Sequence, residues 1–327
     1  MNALLVQNFL ALMKKREADD NLRLMVQRDL DRWGHEHREA VKRERAARAG
    51  GPEPLFFLAD GDSWFDYPIR GNDPTTYVLG KHYDILENLK NLGRPQPLIC
   101  KAAHAGDATT DELAWPRRKM MLDALGNPDN WGSSGRPDAI LFSGGGNDIV
   151  GDHFSIYLND AKAEKLGSPR FAATRFDLAL DGIAAGYRSL IDFRNEYLPG
   201  TPIFTHEYDF AVPNGLGVPL CSGPWLGPSF ENLGYDLRAD LAANWGVVKE
   251  LLGVFAVKLR DLGRAKDAQP FIVVSTQGTI PASRVDPYMP DESKWANEIH
   301  PNPEMFTEVA KRFIETFRTY AAFRGRI

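Results

Sequence analysis

Apolar residues along this chain fall into two kinds of run, and their alternation predicts its elements. LFFLAD (55–60) is a compact apolar run rather than an alternating one, and PLICKA (97–102), DAILFS (138–143), PIFTHEY (202–208) and PFIVVS (270–275) are four further strand candidates. A strand buried on both faces needs that composition, and such strands belong to parallel sheets covered on both sides. Between them lie longer segments with apolar residues at steps of three and four. Phe176, Leu180, Ile183, Tyr187 and Leu190 form one such stripe, and Leu241, Trp245, Val248, Leu252, Phe255 and Leu259 a second. Phe306, Val309, Phe313, Phe317 and Tyr320 form the last, after Pro301 and Pro303, which suit a helix start because the first N–H groups lack intrahelical acceptors. This spacing predicts helices whose apolar stripes are core faces. Strands alternating with helices make the expected fold α/β, with a doubly wound, five-stranded parallel sheet.

The first fifty residues read differently. Leu5, Phe9 and Leu12 or Met13, then Leu22, Met25 or Val26, Leu30 and Trp33, recur at helical spacing. The charged run VKRERAARAG and the breaker Gly50-Gly51-Pro52-Glu53-Pro54 follow. The expected division is an N-terminal helical arm over 1–50, packed on the main domain or on a second copy, and one domain over 55–327. Segments near 149–170 and 209–235 are rich in Gly and Pro and read as insertions above the sheet.

Charge and cysteine content narrow the function classes. The net charge of −5 argues against nucleic acid as the main partner, because such binders carry a cationic excess. Cys100 and Cys221 stand far apart without a CxxC pair, against a disulfide scaffold or a cysteine-rich zinc site. No apolar run reaches the roughly 18–20 residues of a transmembrane helix. The segment MNALLVQNFLALMKKREADD lacks the leading positive charge and small-residue cleavage site of a signal peptide. The expected location is cytoplasmic, with signal-less export left open.

In doubly wound sheets, ligands sit beyond the carboxyl ends of the strands. Gly61-Asp62-Ser63-Trp64-Phe65-Asp66 follows the first strand, His104-Ala105-Gly106-Asp107 the second and Gly144-Gly145-Gly146-Asn147-Asp148 the third. Asn297-Glu298-Ile299-His300-Pro301 comes after the fifth. This order of GDS, glycine, GxND and xxxHP resembles the SGNH, or GDSL-type, hydrolases over roughly residues 55–320. The resemblance implies a flavodoxin-like three-layer α/β/α sandwich and an esterase or lipase activity. It matches Ser63 to the nucleophile, Gly106 and Asn147 to oxyanion-hole residues and His300 to the base, and it implies no cofactor and no metal.

The chemistry of these residue types agrees. A serine hydroxyl is a weak nucleophile until a base takes its proton, and an imidazole is suited to that task near neutral pH. The oxyanion formed on attack needs fixed donors, which the backbone N–H groups of Ser63 and Gly106 and the Asn147 amide offer. One position departs from the family pattern: Asn297 stands where aspartate usually orients the histidine. Three alternatives follow: Asn297 completes a neutral triad, a backbone carbonyl serves, or Glu298 or Asp291 reaches in. Trp64, Phe65 and Trp225 are candidate pocket residues, with Leu226 and Phe230 beside Trp225, while Asp62 and Asp148 read as structural. The expected substrate is a small-molecule, lipid or glycan ester, with acyl transfer or carbohydrate O-deacetylation as alternatives on the same site. A rival of another class is a weakly catalytic interaction module acting through the N-terminal helices, which also offer a surface for homo-oligomerisation. Competing motifs fail: GDSWF is not the GxSxG elbow, Gly80-Lys81 lacks a P-loop's upstream glycine, and neither His35-Glu36 nor His206-Glu207 continues to HExxH.

Overall fold

The structure, a computed structural model, describes residues 28, 31–48, 51–67, 69, 83–115, 117–219 and 222–327. The predicted helical positions before residue 28, Leu30 and Cys221 lie outside these residues. Five strands form one all-parallel sheet in the order β2-β1-β3-β4-β5. They are β1 (Phe56–Gly61), β2 (Leu98–Lys101), β3 (Ala139–Ser143), β4 (Ile203–His206) and β5 (Phe271–Val274). β2 to β5 each lie within a predicted stretch and β1 runs one residue past its own, to Gly61; β1, β3 and β4 are buried along their whole length. The helices are α1 (31–47), α2 (Ile85–Leu92), α3 (Thr109–Glu112), α4 (Arg117–Gly126) and α5 (Gly146–Ile149). After them come α6 (Ala161–Lys165), α7 (Ala173–Tyr197), α8 (Gly227–Asn232), α9 (Leu241–Arg264) and α10 (Pro303–Thr319).

Alternate residues of each strand feed two apolar layers. On one face Phe57 and Phe204 meet Phe317 of α10, with ring centroids 5.2 and 4.9 Å apart. On the other, Phe142 meets Tyr187 of α7 edge-on at 5.1 Å. Helix α10 starts as its sequence suggests: Asn302 caps it by accepting the Met305 N–H at 3.0 Å, and Pro303 occupies the first turn. In α1, Val41 is fully buried with Phe56, Leu58 and Trp131, and His37 bonds the Asn130 carbonyl at 2.8 Å. The described part of the N-terminal segment thus packs on the domain. Its basic run is largely exposed, with Arg45 reaching the carbonyls of Pro128 and Trp131. Cys100 is a free, buried thiol, pushed up to about 12 by burial. No helix of the described residues is long and apolar enough to cross a membrane.

The strand order places a topological switch point between β1 and β3, where the two loops leave the sheet side by side. Register sets their relation: Gly61 pairs with Ser143, and the Asp62 N–H donates to the Ser143 carbonyl at 2.8 Å. A Cβ on Gly61 would stand 2.4 Å from that carbonyl oxygen, so only glycine lets the two loops approach.

Candidate active site

The loop after β1 is held by a buried polar chain. Asp62 Oδ1 accepts from the Trp64 N–H (3.0 Å) and Ser143 Oγ (2.8 Å), and Oδ2 accepts from the Tyr208 hydroxyl (2.5 Å). Burial pushes this carboxyl up to about 6, against the pull of the three donors. His206 Nδ1 accepts the Tyr208 N–H at 3.2 Å, which leaves its proton on Nε2, 2.8 Å from Ser143 Oγ. Burial pushes His206 down to about 3, so it stays neutral beneath the stacked rings of Trp64 and Phe65. This network fixes the turn that presents Ser63.

The Ser63 hydroxyl lies 2.7 Å from Nε2 of His300, across 237 positions of sequence. Asn297 Oδ1 accepts from the N–H groups of Ile299 (3.2 Å) and His300 (3.0 Å), so backbone donors decide which end of the amide faces the imidazole. That oxygen also meets His300 Nδ1 at 3.0 Å, while Nδ2 donates to the Tyr67 hydroxyl at 3.0 Å. Nδ1 therefore carries the imidazole proton, and the Nε2 lone pair faces Ser63. The Tyr67 ring lies parallel to His300 at 4.1 Å, and Trp225 stands edge-on to it at 5.6 Å. Burial pushes His300 down to about 3, with no carboxylate hydrogen-bonded to it among the described residues.

Two further loops converge on this pair. The His104 N–H bonds the Gly61 carbonyl at 2.8 Å and the Ala105 N–H bonds Asp66 at 3.1 Å, which fastens the loop after β2 to the Ser63 turn. Asn147 Nδ2 donates to the Asp107 carbonyl at 2.9 Å, tying the loop after β3 to both. Asp148 accepts from the Thr109 N–H and hydroxyl at the start of α3. Gly106 has φ +92°, and a Cβ there would meet no heavy atom within 4 Å, so backbone conformation rather than crowding selects glycine. Among the described residues no group accepts the backbone N–H of Ser63 or of Gly106, and Asn147 keeps one amide hydrogen unspent.

A cavity opens beside Ser63. Asp62, Gly146, Asn147, Tyr208 and Asp209 line it with Ser63, and Trp64, Ile299 and apolar residues from the loop after β3, the 209–235 segment and α9 form the rest. Of the three expected pocket residues, only Trp64 lines it. Phe65 instead is fully buried against His206 and Phe313, because its side chain points into the core beneath the turn. Trp225 lies beside His300 and outside the cavity wall, which takes Leu226 from that segment; Phe230 packs on Phe154. Glu298 does not reach His300. Its carboxylate accepts four backbone N–H groups, of Gly215 (2.8 Å), Trp225 (2.5 Å), Leu226 (2.6 Å) and Gly227 (2.7 Å). Asp291 is likewise engaged elsewhere, on the Ser293 N–H. Tyr67, Glu298 and the cavity-lining residues of α9 carry no motif. The α9 stripe reads as core, and Val248 and Leu252 prove to face both core and cavity. Among the described residues, no three His, Cys, Asp or Glu side chains are placed to share a metal ion.

No family model matches the sequence and no curated protein matches it. Solved structures do align with it. An extracellular lipase from Streptomyces rimosus is 15% identical, covering 80% of this chain and 99% of its own, with a TM-score of 0.45. A carbohydrate esterase family 3 protein from Talaromyces cellulolyticus is 10% identical over 80% of this chain and 95% of its own, TM-score 0.41. A GDSL-like lipase from Bacteroides thetaiotaomicron is 10% identical over 84% and 96%, TM-score 0.40.

Proposed function

We propose that this chain is a serine hydrolase of the SGNH type that cleaves carboxylic esters through an acyl-enzyme on Ser63. The observation that carries the reading is the Ser63–His300–Asn297 chain, with Oγ to Nε2 at 2.7 Å and Nδ1 to Oδ1 at 3.0 Å. In it, Ser63 Oγ attacks the acyl carbon while His300 Nε2 takes the hydroxyl proton. The carbonyl π electrons move to oxygen, where the Ser63 and Gly106 N–H groups and the second Asn147 hydrogen receive the charge. Collapse expels the alkoxide, which leaves with the proton from His300. Water, deprotonated by the same nitrogen, attacks the acyl-enzyme and releases the acid with Ser63 restored. Asn297 holds the imidazole in the working tautomer without supplying charge.

Hydrolysis of p-nitrophenyl acetate by wild type and variants tests this. Ser63→Ala and His300→Ala should each lower kcat/KM about 10⁴-fold or more, and Asn147→Ala about 10²–10³-fold. Asn297→Ala should leave a measurable rate. Wild-type activity in Ser63→Ala overturns the reading.

A further inference from the structure

The cavity beside Ser63 limits which acyl group the reaction takes, an inference that rests on the proposed ester hydrolysis. Most of its wall is apolar, with Phe154 and Leu226, Val248, Leu251 and Leu252 of α9, and Ile299 next to the base. The two carboxylates on its wall are already engaged. Asp62 accepts from Trp64, Ser143 and Tyr208, and Asp209 from the N–H groups of Phe210 (2.8 Å), Gly278 (2.9 Å) and Ile280 (2.6 Å). Among the described residues no Lys or Arg lines it, so nothing there compensates an anionic or polar tail. The occupant must be apolar, and it must be tethered at Ser63, where the cavity meets the oxyanion donors.

Size supplies the second constraint. The cavity leaves about 40 Å³ to the centres of water-sized groups, and one such group needs roughly 10–15 Å³. About three such groups therefore fill it. We infer that the enzyme takes short, uncharged acyl groups, with a butyryl chain filling the cavity and longer chains forced out of it. The alcohol half of the ester lies outside this cavity.

A p-nitrophenyl ester series from acetate to decanoate tests the inference on the full-length protein. From acetate to butyrate kcat/KM should rise about four-fold per added methylene, as each leaves water for apolar surroundings. It should fall at least about ten-fold by octanoate. Leu252→Ala, or the milder Leu252→Val, opens the wall and should move the optimum toward hexanoate. Val248→Phe should abolish the preference for butyrate over acetate; melting curves establish that each variant is folded. Ser63-dependent hydrolysis that is as fast on octanoate as on butyrate overturns the size limit while leaving the proposed function standing. A folded Leu252→Ala with an unchanged profile overturns the assignment of this cavity to the acyl chain. Absence of Ser63-dependent hydrolysis on every ester in the series overturns the underlying reading instead.

Discussion

An amide, a hydroxyl and two aromatic rings hold the His300 imidazole, and none of them is charged. A carboxylate at the Asn297 position would favour the imidazolium; an amide carbonyl already accepting two backbone N–H groups offers much less. Burial therefore dominates and pushes the base down to about 3. The sign follows directly: a histidine depressed below its ordinary 6.5 is neutral, and so competent as a base, from neutral pH well into the acid range. The same depression contributes folding stability that is present above pH 6.5 and is lost as pH falls toward 3. For kcat/KM, the expected profile has no acid limb near 6.5 and is flat from pH 8 to about 5. Asn297→Asp places an anion against Nδ1 and should create a limb at least one pH unit higher than that of wild type. A wild-type limb at 6.5, or a profile indifferent to Asn297→Asp, contradicts this account of the base.

Among elements, one side chain gathers two stretches of the 209–235 segment. Glu298, between Asn297 and His300 in the loop that carries the base, gathers N–H groups from Gly215 and from the run 225–227. Burial raises its carboxyl while those four donors pull the other way. Gly227 is glycine because a Cβ would stand 2.7 Å from the Glu298 oxygen. Removing the carboxylate strands four donors, at a cost of about 3 kcal/mol or more. Glu298→Ala should lower the melting temperature, loosen cleavage resistance around 214–227 and raise KM through the displaced Leu226. Unchanged proteolysis and KM would show that the segment is held by other means. Strand β1 was readable because a strand covered on both faces is mostly apolar, and α7, α9 and α10 because their stripes repeat at 3–4 residues. Glu298 was legible only as a nearby carboxylate: its role is set by backbone groups some seventy to eighty positions away, and no local pattern encodes such a pairing. Tyr67 was invisible for the same reason, since its stacking on His300 is a long-range packing event.

At the scale of the whole molecule, one topological fact does most of the work. Parallel order β2-β1-β3-β4-β5 sends the loops after β1, β2 and β3 out at the carboxyl end of the sheet, and the segment before α10 returns there with His300. The four motif blocks were legible because each follows a strand, and the sheet brings three of them together through hydrogen bonds between their loops. The cavity beside Ser63 was not, because it arises where two irregular segments and one face of α9 meet, and sequence does not disclose how such segments fold over a sheet. The central claim is that this arrangement turns Ser63 alone, among all the serines of the chain, into a nucleophile. The most direct measurement is covalent labelling with an alkyl fluorophosphonate, followed by peptide mapping by mass spectrometry. The predicted result is one phosphonate per chain on the peptide carrying Ser63, lost in His300→Ala although the hydroxyl remains. Labelling of a different residue, or equal labelling of Ser63 without His300, would contradict it.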